Sequence, residues 1–256
     1  MSRLFSDLSL DTKKGYFLPH LKLEGSYQMA LDELLLRQSI NSCSVSIVFR
    51  FYSWQGSWIS IGRNQREIPN RWKSLLRQNK LKIVRRPTGG EAVLHSGGIT
   101  YSLIWKSPNL KKSDAYYQAS QWLINGFSEL GIPLQFGKEK ASFSSGNCFA
   151  TSTAADLIDN EGNKRIGSAQ LWRRGHVLQH GEILLNPPKN LWHDIFQTKP
   201  PKQISINLPK KEIEESLKRN LHSSWPNINW KEREITNFEL KEIKSNSKNY
   251  LFNSGS

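Results

Sequence analysis

Apolar residues recur at helical spacing near the start of the chain. Between residues 26 and 37, five of them fall on one face of a helix: Tyr27, Ala30, Leu31, Leu34 and Leu35. Ser26 stands where an N-cap residue belongs. Asp32 and Glu33 fall outside the apolar stripe, so we expect them to face solvent. The pattern predicts a helix that packs one side against a core.

Two later segments show the same spacing. A helix is predicted to start with Ser113 as its cap and to end at Gly131 and Pro133, with apolar positions at Tyr116, Ala119, Trp122, Leu123, Phe127 and Leu130. A further helix is predicted around residues 210 to 222, with Ile213, Leu217 and Leu221 on one face. From about residue 244 the chain is polar and is expected to fray.

Short runs of β-branched and aromatic residues predict the strands. They lie at 46–52, 58–62, 81–85 and 99–105, and again at 149–158, 164–172 and 176–185. Strands and helices do not alternate strictly, which favours an α+β fold with a mixed, largely antiparallel β-sheet over a doubly wound fold. We expect one catalytic domain over residues 1–208. Residues 209–256 are expected to form a short C-terminal helical extension and tail rather than an independent domain.

Composition indicates a globular protein outside the membrane. Of the 256 residues, 37% are hydrophobic and 23% are charged, and no apolar run approaches the roughly 18 residues that would span a bilayer. The first residues lack the apolar run of a secretory signal. With only Cys43 and Cys148 present, no disulfide framework is implied. A reducing compartment, the cytoplasm, is therefore expected.

The formal net charge is +14. Such a balance favours acidic partners, which include nucleic acid, anionic membranes and acidic proteins, although a lysine-rich surface without a special role would give the same balance. The sequence has no basic run of five or six residues and no nucleic-acid recognition motif, so nucleic-acid binding is disfavoured.

Glycine is concentrated between two predicted strands, in the segment RRPTGGEAVLHSGG at residues 85–98. Glycine lets the backbone approach a ligand closely, and Arg85 and Arg86 are suited to a phosphate or carboxylate. The spacing matches neither a nucleotide P-loop nor a dinucleotide fingerprint. The residues alone allow two interpretations, a turn-rich connection or a ligand-binding loop.

Cys148 is a candidate nucleophile at the start of a predicted strand. A thiol reacts as its thiolate, and a cation within about 4–6 Å favours that charged form. Lys164 would supply the cation if the two strands are hairpin neighbours. A lone cysteine is otherwise often a small buried apolar residue. Cys43, in a polar run, is expected to be structural or incidental.

The histidines do not indicate a metal site. His176 and His180 would lie about 13 Å apart along a predicted strand, too far to bind one ion. The sequence carries no other metal-binding signature. His95 and His180 are candidates for a base or an orienting group, and structural hydrogen bonding is the alternative for both.

Four segments resemble, in order, the motifs of the lipoate–protein ligase and octanoyltransferase superfamily. RRPTGGEAVLH (85–95) resembles its glycine-rich signature. The others are MALD (29–32), RFYSW with SIGRNQ (50–54 and 60–65), and KRIGSAQ (164–170) continued by LQHGEILL (178–185). The resemblance spans about residues 22 to 190. It implies the biotin/lipoate protein ligase catalytic-domain architecture.

The superfamily contains three chemistries. Some members are ATP-dependent ligases that form an adenylate of lipoate, others are transferases that take octanoate from acyl carrier protein through a cysteine thioester, and others are amidotransferases between lipoyl domains. Cys148 stands where the cysteine-dependent transferases carry their nucleophile. The resemblance therefore implies a protein N-octanoyltransferase. Lipoate–protein ligase, with ATP and Mg²⁺, and lipoyl-domain amidotransferase are the alternatives.

The resemblance also implies site residues and partners. Cys148 and Lys164 would be catalytic, and the substrate would contact Arg85, Arg86, Thr88, Gly89, Gly90, His95, Gly167, Ser168, Ala169 and His180. No cofactor and no metal are expected. The donor would be acyl carrier protein and the acceptor a lipoyl domain of a 2-oxoacid dehydrogenase or the glycine cleavage H protein, with the enzyme a monomer.

The sequence departs from the family pattern at Glu91 and in the stretch after Phe149, which leaves the identity of the donor open. The alternative of a different class is a non-catalytic carrier-binding or nucleic-acid-binding module on the same fold.

Overall fold

A mixed β-sheet forms the centre of the fold in the computed structural model, which describes residues 13–107, 109–137, 147–149, 153, 155–204 and 206–252. Strands are numbered in chain order. Nine strands of these described residues belong to the main sheet: β1 (Lys13–Phe17), β2 (Leu21–Leu23), β3 (Val45–Trp54), β7 (Ile99–Lys106), β8 (Gln135–Phe136), β9 (Leu157–Ile158), β10 (Lys164–Arg173), β11 (His176–Ile183) and β12 (Ile228–Glu232).

Strand pairing confirms the predicted α+β class with a mixed sheet. The order is β12-β1-β3-β7-β11-β10-β9-β8, and β2 also pairs with β3. From β3 through β7, β11 and β10 to β8 every pair is antiparallel, whereas β12, β1 and β2 add parallel pairs at one side. The antiparallel centre brings β7, β11 and β10 side by side.

A smaller sheet carries the glycine-rich segment. Its central strand β4 (Trp58–Ile61) pairs in parallel with β5 (Lys82–Arg85) and antiparallel with β6 (Val93–His95). Helix α2 (Asn70–Arg77) connects β4 to β5 and packs near α4 (Lys189–Phe196), around a core that includes Trp72 and Ile195. The sequence predicted a turn-rich connection at 85–98, and β6 lies within it.

Helices cover both faces of the main sheet. On one face, α3 (Lys112–Glu129) and α5 (Lys210–Ser224) enclose a core in which Trp122, Phe127 and Leu217 are fully buried. On the other face, α1 (Gly25–Asn41) and α6 (Asn237–Asn246) pack against Val48 and Ile104. The predicted helical stripes are therefore the core-facing sides of α1, α3 and α5.

The start and the solvent side of α1 differ from the prediction. Glu24 is the N-cap residue, and Ser26 lies buried within the helix. Gly25, the first residue of the helix, leaves room for two tryptophans, because a Cβ there would lie 2.6 Å from ring atoms of Trp54 and Trp58. Asp32 is also buried, with no exposed surface, since this helix packs against protein on more than one side.

Three other expectations are corrected. Lys111 rather than Ser113 is the N-cap of α3. In the predicted strand 149–158, the described residues form a strand only at Leu157–Ile158, and residues 150–152 and 154 lie outside the described part. The chain does not fray at 244, because α6 is followed by a 3₁₀ helix (Ser247–Tyr250) and Leu251 bridges to Val84.

The described residues after 208 share the core of the rest of the chain. Helix α5 packs on α3, and β12 extends the main sheet beside β1. The division between residues 208 and 209 stays a prediction.

Candidate active site

A cavity lies where the two sheets meet; the empty space within it and at its opening, solvent included, is about 440 Å³. Side chains from α1, β3, β4, β6, β7, β10 and β11 line it together with the glycine turn. Among the residues predicted from the sequence, the cavity wall includes Arg86, Gly89, Gly90, His95, Cys148, Gly167, Ser168, Ala169 and His180.

Cys148 and Lys164 lie together at this cavity. The hairpin argument does not account for their meeting, because Cys148 lies in a turn and the strand that pairs with Lys164 is β9, through Ile158. Lys164 Nζ is 3.3 Å from Cys148 Sγ and donates a hydrogen bond to the Cys148 carbonyl at 2.6 Å. It also forms an ion pair with Asp156, Nζ to Oδ2 2.9 Å. The ammonium group therefore lies between a sulfur atom and a carboxylate.

Backbone contacts hold Cys148 in place beside the glycine turn. Its N–H donates to the carbonyl of Ala92 at 3.0 Å, and the preceding Asn147 forms a parallel bridge with Ala92. On the other side, a Cβ at Gly167 would lie 3.1 Å from Lys164 Cε and 3.6 Å from Cys148 Sγ. Glycine at 167 thus leaves the room in which the thiol and the ammonium group meet.

Electrostatics keep Lys164 charged despite its burial. Burial alone would lower the pKa of Lys164, but the negative charges of Cys148 and Asp156 and its hydrogen bonds to them raise the pKa above the usual value. Asp156 is itself fixed by hydrogen bonds from the backbone N–H and hydroxyl of Thr153, at 2.7 and 2.9 Å. The ammonium group of Lys164 therefore lies charged at 3.3 Å from the Cys148 sulfur.

His95 belongs to a buried hydrogen-bonded chain in the cavity wall. Its Nδ1 is 2.8 Å from Glu182 Oε2, and its Nε2 is 2.8 Å from Ser60 Oγ. Thr100 donates to the same Glu182 oxygen at 2.6 Å, and the Trp54 ring stacks on the imidazole. Burial lowers the pKa of His95 despite the neighbouring carboxylate. Both ring nitrogens have partners within the protein, and the predicted contact of His95 with a substrate stays a prediction.

His180 joins the glycine-rich segment to α1. Its Nδ1 is 2.9 Å from Asp32 Oδ2, and its Nε2 is 2.6 Å from Thr88 Oγ1. Asp32 also accepts two hydrogen bonds from Arg50, at 3.1 and 2.6 Å. Burial alone would raise the pKa of Asp32, but the charge of Arg50 and the bond to His180 lower it below the usual value. Asp32 thereby fixes the orientation of the imidazole against Thr88.

The two arginines of the glycine-rich segment bind backbone carbonyl groups. Arg85 Nη1 contacts the carbonyls of Gly62 and Gln65 at 3.1 and 2.5 Å. Arg86 is buried and donates to the carbonyls of Ser60, Gly89 and Glu91 at 2.8, 2.7 and 2.8 Å. Arg86 thus holds the glycine turn and Arg85 holds the loop that follows β4, and the expected contact of either with a substrate anion stays a prediction.

The remaining predicted residues place backbone along the cavity. Gly90 adopts a φ of 95°, and Gly62 approaches it so closely that a Cβ on Gly62 would lie 1.9 Å from the Gly90 carbonyl oxygen. Ser168 Oγ pairs with Tyr101 Oη at 2.8 Å, and Ala169 lies opposite His180 in the antiparallel register. Their roles in substrate binding stay predictions.

Three functional-site carboxylates were not identified from the sequence. Asp156 lies in a stretch without a recognisable pattern, and Glu182 follows His180 within a buried strand, where a charged residue itself is a signal. Asp32 was assigned to the solvent side. No group of three or more metal-binding side chains occurs among the residues that the structure describes. Nor is any described helix long and apolar enough to cross a membrane.

The fold and this site define a catalytic domain of the lipoyl protein ligase A/B kind. The model of that family, the lipoyl protein ligase A/B catalytic domain, matches residues 24–227, and the chain belongs to this family. Among curated relatives, the chain is 32% identical over 231 residues to "Octanoyltransferase LipM" of Halalkalibacterium halodurans, covering 86% of this chain and 79% of that protein. It is 34% identical to the protein of the same name from Lysinibacillus sphaericus, covering 80% and 75%.

Solved structures share the fold. A putative lipoate protein ligase from T. acidophilum with bound lipoic acid superposes with a TM-score of 0.77 at 18% identity, covering 91% of this chain and 93% of that one. A lipoate-protein ligase A bound with ATP gives a TM-score of 0.74 at 19% identity, covering 92% and 94%. At this level of identity the likeness shows the architecture alone.

Proposed function

We propose that this chain is a protein N-octanoyltransferase that carries the octanoyl group on Cys148. The relatives named octanoyltransferase, matched over most of their length, support the reaction. The observation on which the covalent route rests is the 3.3 Å contact between Cys148 Sγ and Lys164 Nζ at the wall of a cavity. A non-catalytic binding module would have no use for a buried cation held against a thiol.

In the first step, the Cys148 thiolate attacks the carbonyl carbon of an octanoyl thioester on acyl carrier protein. The new S–C bond forms as the bond to the carrier's sulfur breaks, and the carrier leaves as a thiolate that takes up a proton. Lys164 remains protonated and stabilises the attacking sulfur. Backbone N–H groups near Gly89, Gly90 or Gly167 are the candidates to stabilise the oxyanion that forms in between.

In the second step, the ε-amine of a lysine on a lipoyl domain attacks the acyl-enzyme. An amide bond forms, the S–C bond to Cys148 breaks, and the amine loses its proton as the thiolate is restored. Because both carbonyls that are attacked belong to thioesters, the sequence of steps requires neither ATP nor a metal. We propose the cytoplasm as its compartment, in keeping with two free cysteines.

The cavity provides the affinity for the chain. Burying six or seven methylenes contributes about 5 kcal/mol at about 0.8 kcal/mol each. One methylene more or less changes binding by only about 1–3 kcal/mol. We therefore expect a preference for octanoyl over neighbouring chain lengths rather than an absolute selection.

The ligase alternative would need groups that hold ATP. In the described part of the chain, Arg85 and Arg86, the two arginines of the glycine-rich segment, are already bound to backbone carbonyls, so a nucleotide phosphate would have to displace these hydrogen bonds to reach them. We prefer the transferase because the relatives matched over most of their length are named octanoyltransferases.

Intact-mass measurement after mixing with octanoyl carrier protein, without ATP, tests the proposal. We expect one octanoyl adduct on the wild-type enzyme, the same adduct on Cys43→Ser, and none on Cys148→Ser. Cys43 is the other free cysteine and is exposed, so its variant controls for nonspecific thiol exchange. Full transfer activity in Cys148→Ser would refute the covalent route. Product formed only from free lipoate with ATP would establish the ligase, and an adduct formed only from an acylated lipoyl domain would establish the amidotransferase.

A further inference from the structure

Positive charge is concentrated in one segment that the function proposed above does not use. Residues 63–82 contain seven lysines and arginines but one acidic residue, Glu67, a net charge of +6 within 20 of the 256 residues. The whole chain carries +14. The cations are separated by apolar and polar residues, so no basic run appears in the sequence; they are Arg63, Arg66, Arg71, Lys73, Arg77, Lys80 and Lys82.

The start of this segment lies at the rim of the acyl cavity. The Arg63 N–H donates to the carbonyl of Thr88 at 2.8 Å, directly before the two glycines that line the cavity. Gly62 is in close contact with Gly90. Because β4 and β5 are parallel and joined through α2, the chain leaves the rim at Arg63 and returns to it at Arg85.

Arg85 holds the rim in a defined shape. Its Nη1 contacts three carbonyls of the loop that follows β4, those of Gly62, Arg63 and Gln65, at 3.1, 3.3 and 2.5 Å. These hydrogen bonds fix the backbone of the loop. Arg85 does not line the cavity, and its role in the structure is to hold this loop.

Three exposed cations of this segment are left for a partner: Arg63 at the rim, Arg66 three residues further along the chain, and Lys73 on α2. No hydrogen bond or ion pair joins their side chains to another residue within the described ranges. The acidic residues nearby in sequence are Glu67 and Glu91, which do not balance the cations. Unpaired exposed arginines beside a cavity mouth favour an anionic partner.

We propose that Arg63, Arg66 and Lys73 form the docking surface for the acyl carrier protein that donates the octanoyl group. This inference rests on the proposed function and adds where the donor binds. The donor carries its thioester on an arm joined through a phosphodiester, whereas the acceptor presents a plain lysine. Arginine matches the geometry of a phosphate better than lysine does, and Arg63, the cation whose backbone is bonded to the glycine turn, is an arginine. The rim therefore suits the donor rather than the acceptor.

A charge-neutralised triple variant, Arg63→Gln with Arg66→Gln and Lys73→Gln, tests the surface. The matched control removes the same charge elsewhere through Lys241→Gln, Lys244→Gln and Lys248→Gln, three exposed lysines of α6 and the 3₁₀ helix that follows it. Single-turnover acylation is measured with octanoyl carrier protein and with octanoyl-N-acetylcysteamine, a thioester without phosphate or protein. Binding of the carrier protein itself is measured by fluorescence anisotropy.

At low salt, we expect the rim variant to bind the carrier protein at least about tenfold more weakly than wild type does. We expect its acylation by the carrier protein to be at least about tenfold slower. The difference should vanish near 1 M salt, where the screening length is about 3 Å. Acylation by the small thioester, and transfer from the acyl-enzyme to a lipoyl domain, should be unchanged, and the control variant should behave as wild type.

Unchanged carrier binding, equal slowing with both donors, or a defect confined to transfer onto the lipoyl domain would overturn this docking surface. Carrier binding that depends on the rim without any adduct on Cys148 would instead overturn the proposed function and leave the docking surface standing. The two proposals therefore fail by different results.

Discussion

Replacing Asp32 by asparagine removes one charge from the buried network beneath the acyl cavity. Asp32 and Arg50 have side-chain exposures of 0% and 1%, and their closest approach is 2.6 Å. Asparagine has nearly the same size, so it leaves no hole. The change isolates the charge of one side chain on α1, at a position where the helical pattern predicted a solvent-facing residue.

The loss of folding free energy in Asp32→Asn depends on the hydrogen bonds that Arg50 and His180 keep. Removing one partner of a buried ion pair costs about 3–5 kcal/mol, because the other charge is left without compensation. Arg50 keeps hydrogen bonds to the side-chain and backbone oxygens of Gln28, at 2.5 and 2.9 Å, which places the effect near the lower end. His180 would also face an amide N–H₂ unless its ring changed tautomer. We expect a loss of about 3 kcal/mol, equivalent to a fall in Tm of about 6–12 °C.

Urea unfolding at neutral pH measures the change, with Glu33→Gln as the matched control. Glu33 is the next residue, and it pairs with Arg173 at 2.8 Å, but their side chains are 29% and 40% exposed. Exposed pairs contribute at most about 1 kcal/mol, so this variant should lose little. Equal and small losses in both variants would refute the burial of Asp32.

The pH dependence gives an independent check. The pKa of Asp32 is lowered in the folded state, because Arg50 and His180 outweigh the opposing effect of burial. Its contribution to stability is therefore fully present above the unfolded-state pKa of about 3.9 and is lost as the pH falls through the lower folded-state pKa. The stability gap between wild type and Asp32→Asn should stay constant from neutral pH to about 4 and narrow below it. A gap that narrows already between pH 7 and 5 would contradict this assignment.

Two further predictions concern the reacting groups. Gly167→Ala places a Cβ 3.1 Å from Lys164 Cε and 3.6 Å from Cys148 Sγ. We expect acylation about 10- to 100-fold slower, with thermal stability nearly unchanged. Single-turnover rates equal to those of wild type would show that the thiol and the ammonium group do not need the space that glycine leaves. Lys164→Met keeps the length of the side chain and removes the cation, so acylation should be slower and should require a higher pH, and an unaltered pH–rate profile would remove the role of Lys164.

The sequence was sufficient for the three longest helices and the central strands, but not for the shorter helices α2, α4 and α6 or for the strands β1, β2 and β12. Stripes at helical spacing predicted α1, α3 and α5 because a helix in a protein of this class buries one face, and short β-branched runs predicted β3, β4, β7, β10 and β11. The family motifs implied that Cys148 and Lys164 share one site, although Cys148 lies in a turn and not in the strand that pairs with Lys164. The structure places them 3.3 Å apart.

Tertiary structure alone decided which charges are buried and what they hold. Asp32 lies outside the apolar stripe of α1, yet it is enclosed because Arg50 of β3 and His180 of β11 pack over it, 18 and 148 residues away in the chain. Asp156 reaches Lys164, and Arg85 turns from the cavity towards the loop after β4. The pattern of residues along the sequence shows whether a position is polar or apolar. Whether a polar group lies against solvent or against a partner depends on contacts distant in sequence, which only the folded chain brings together.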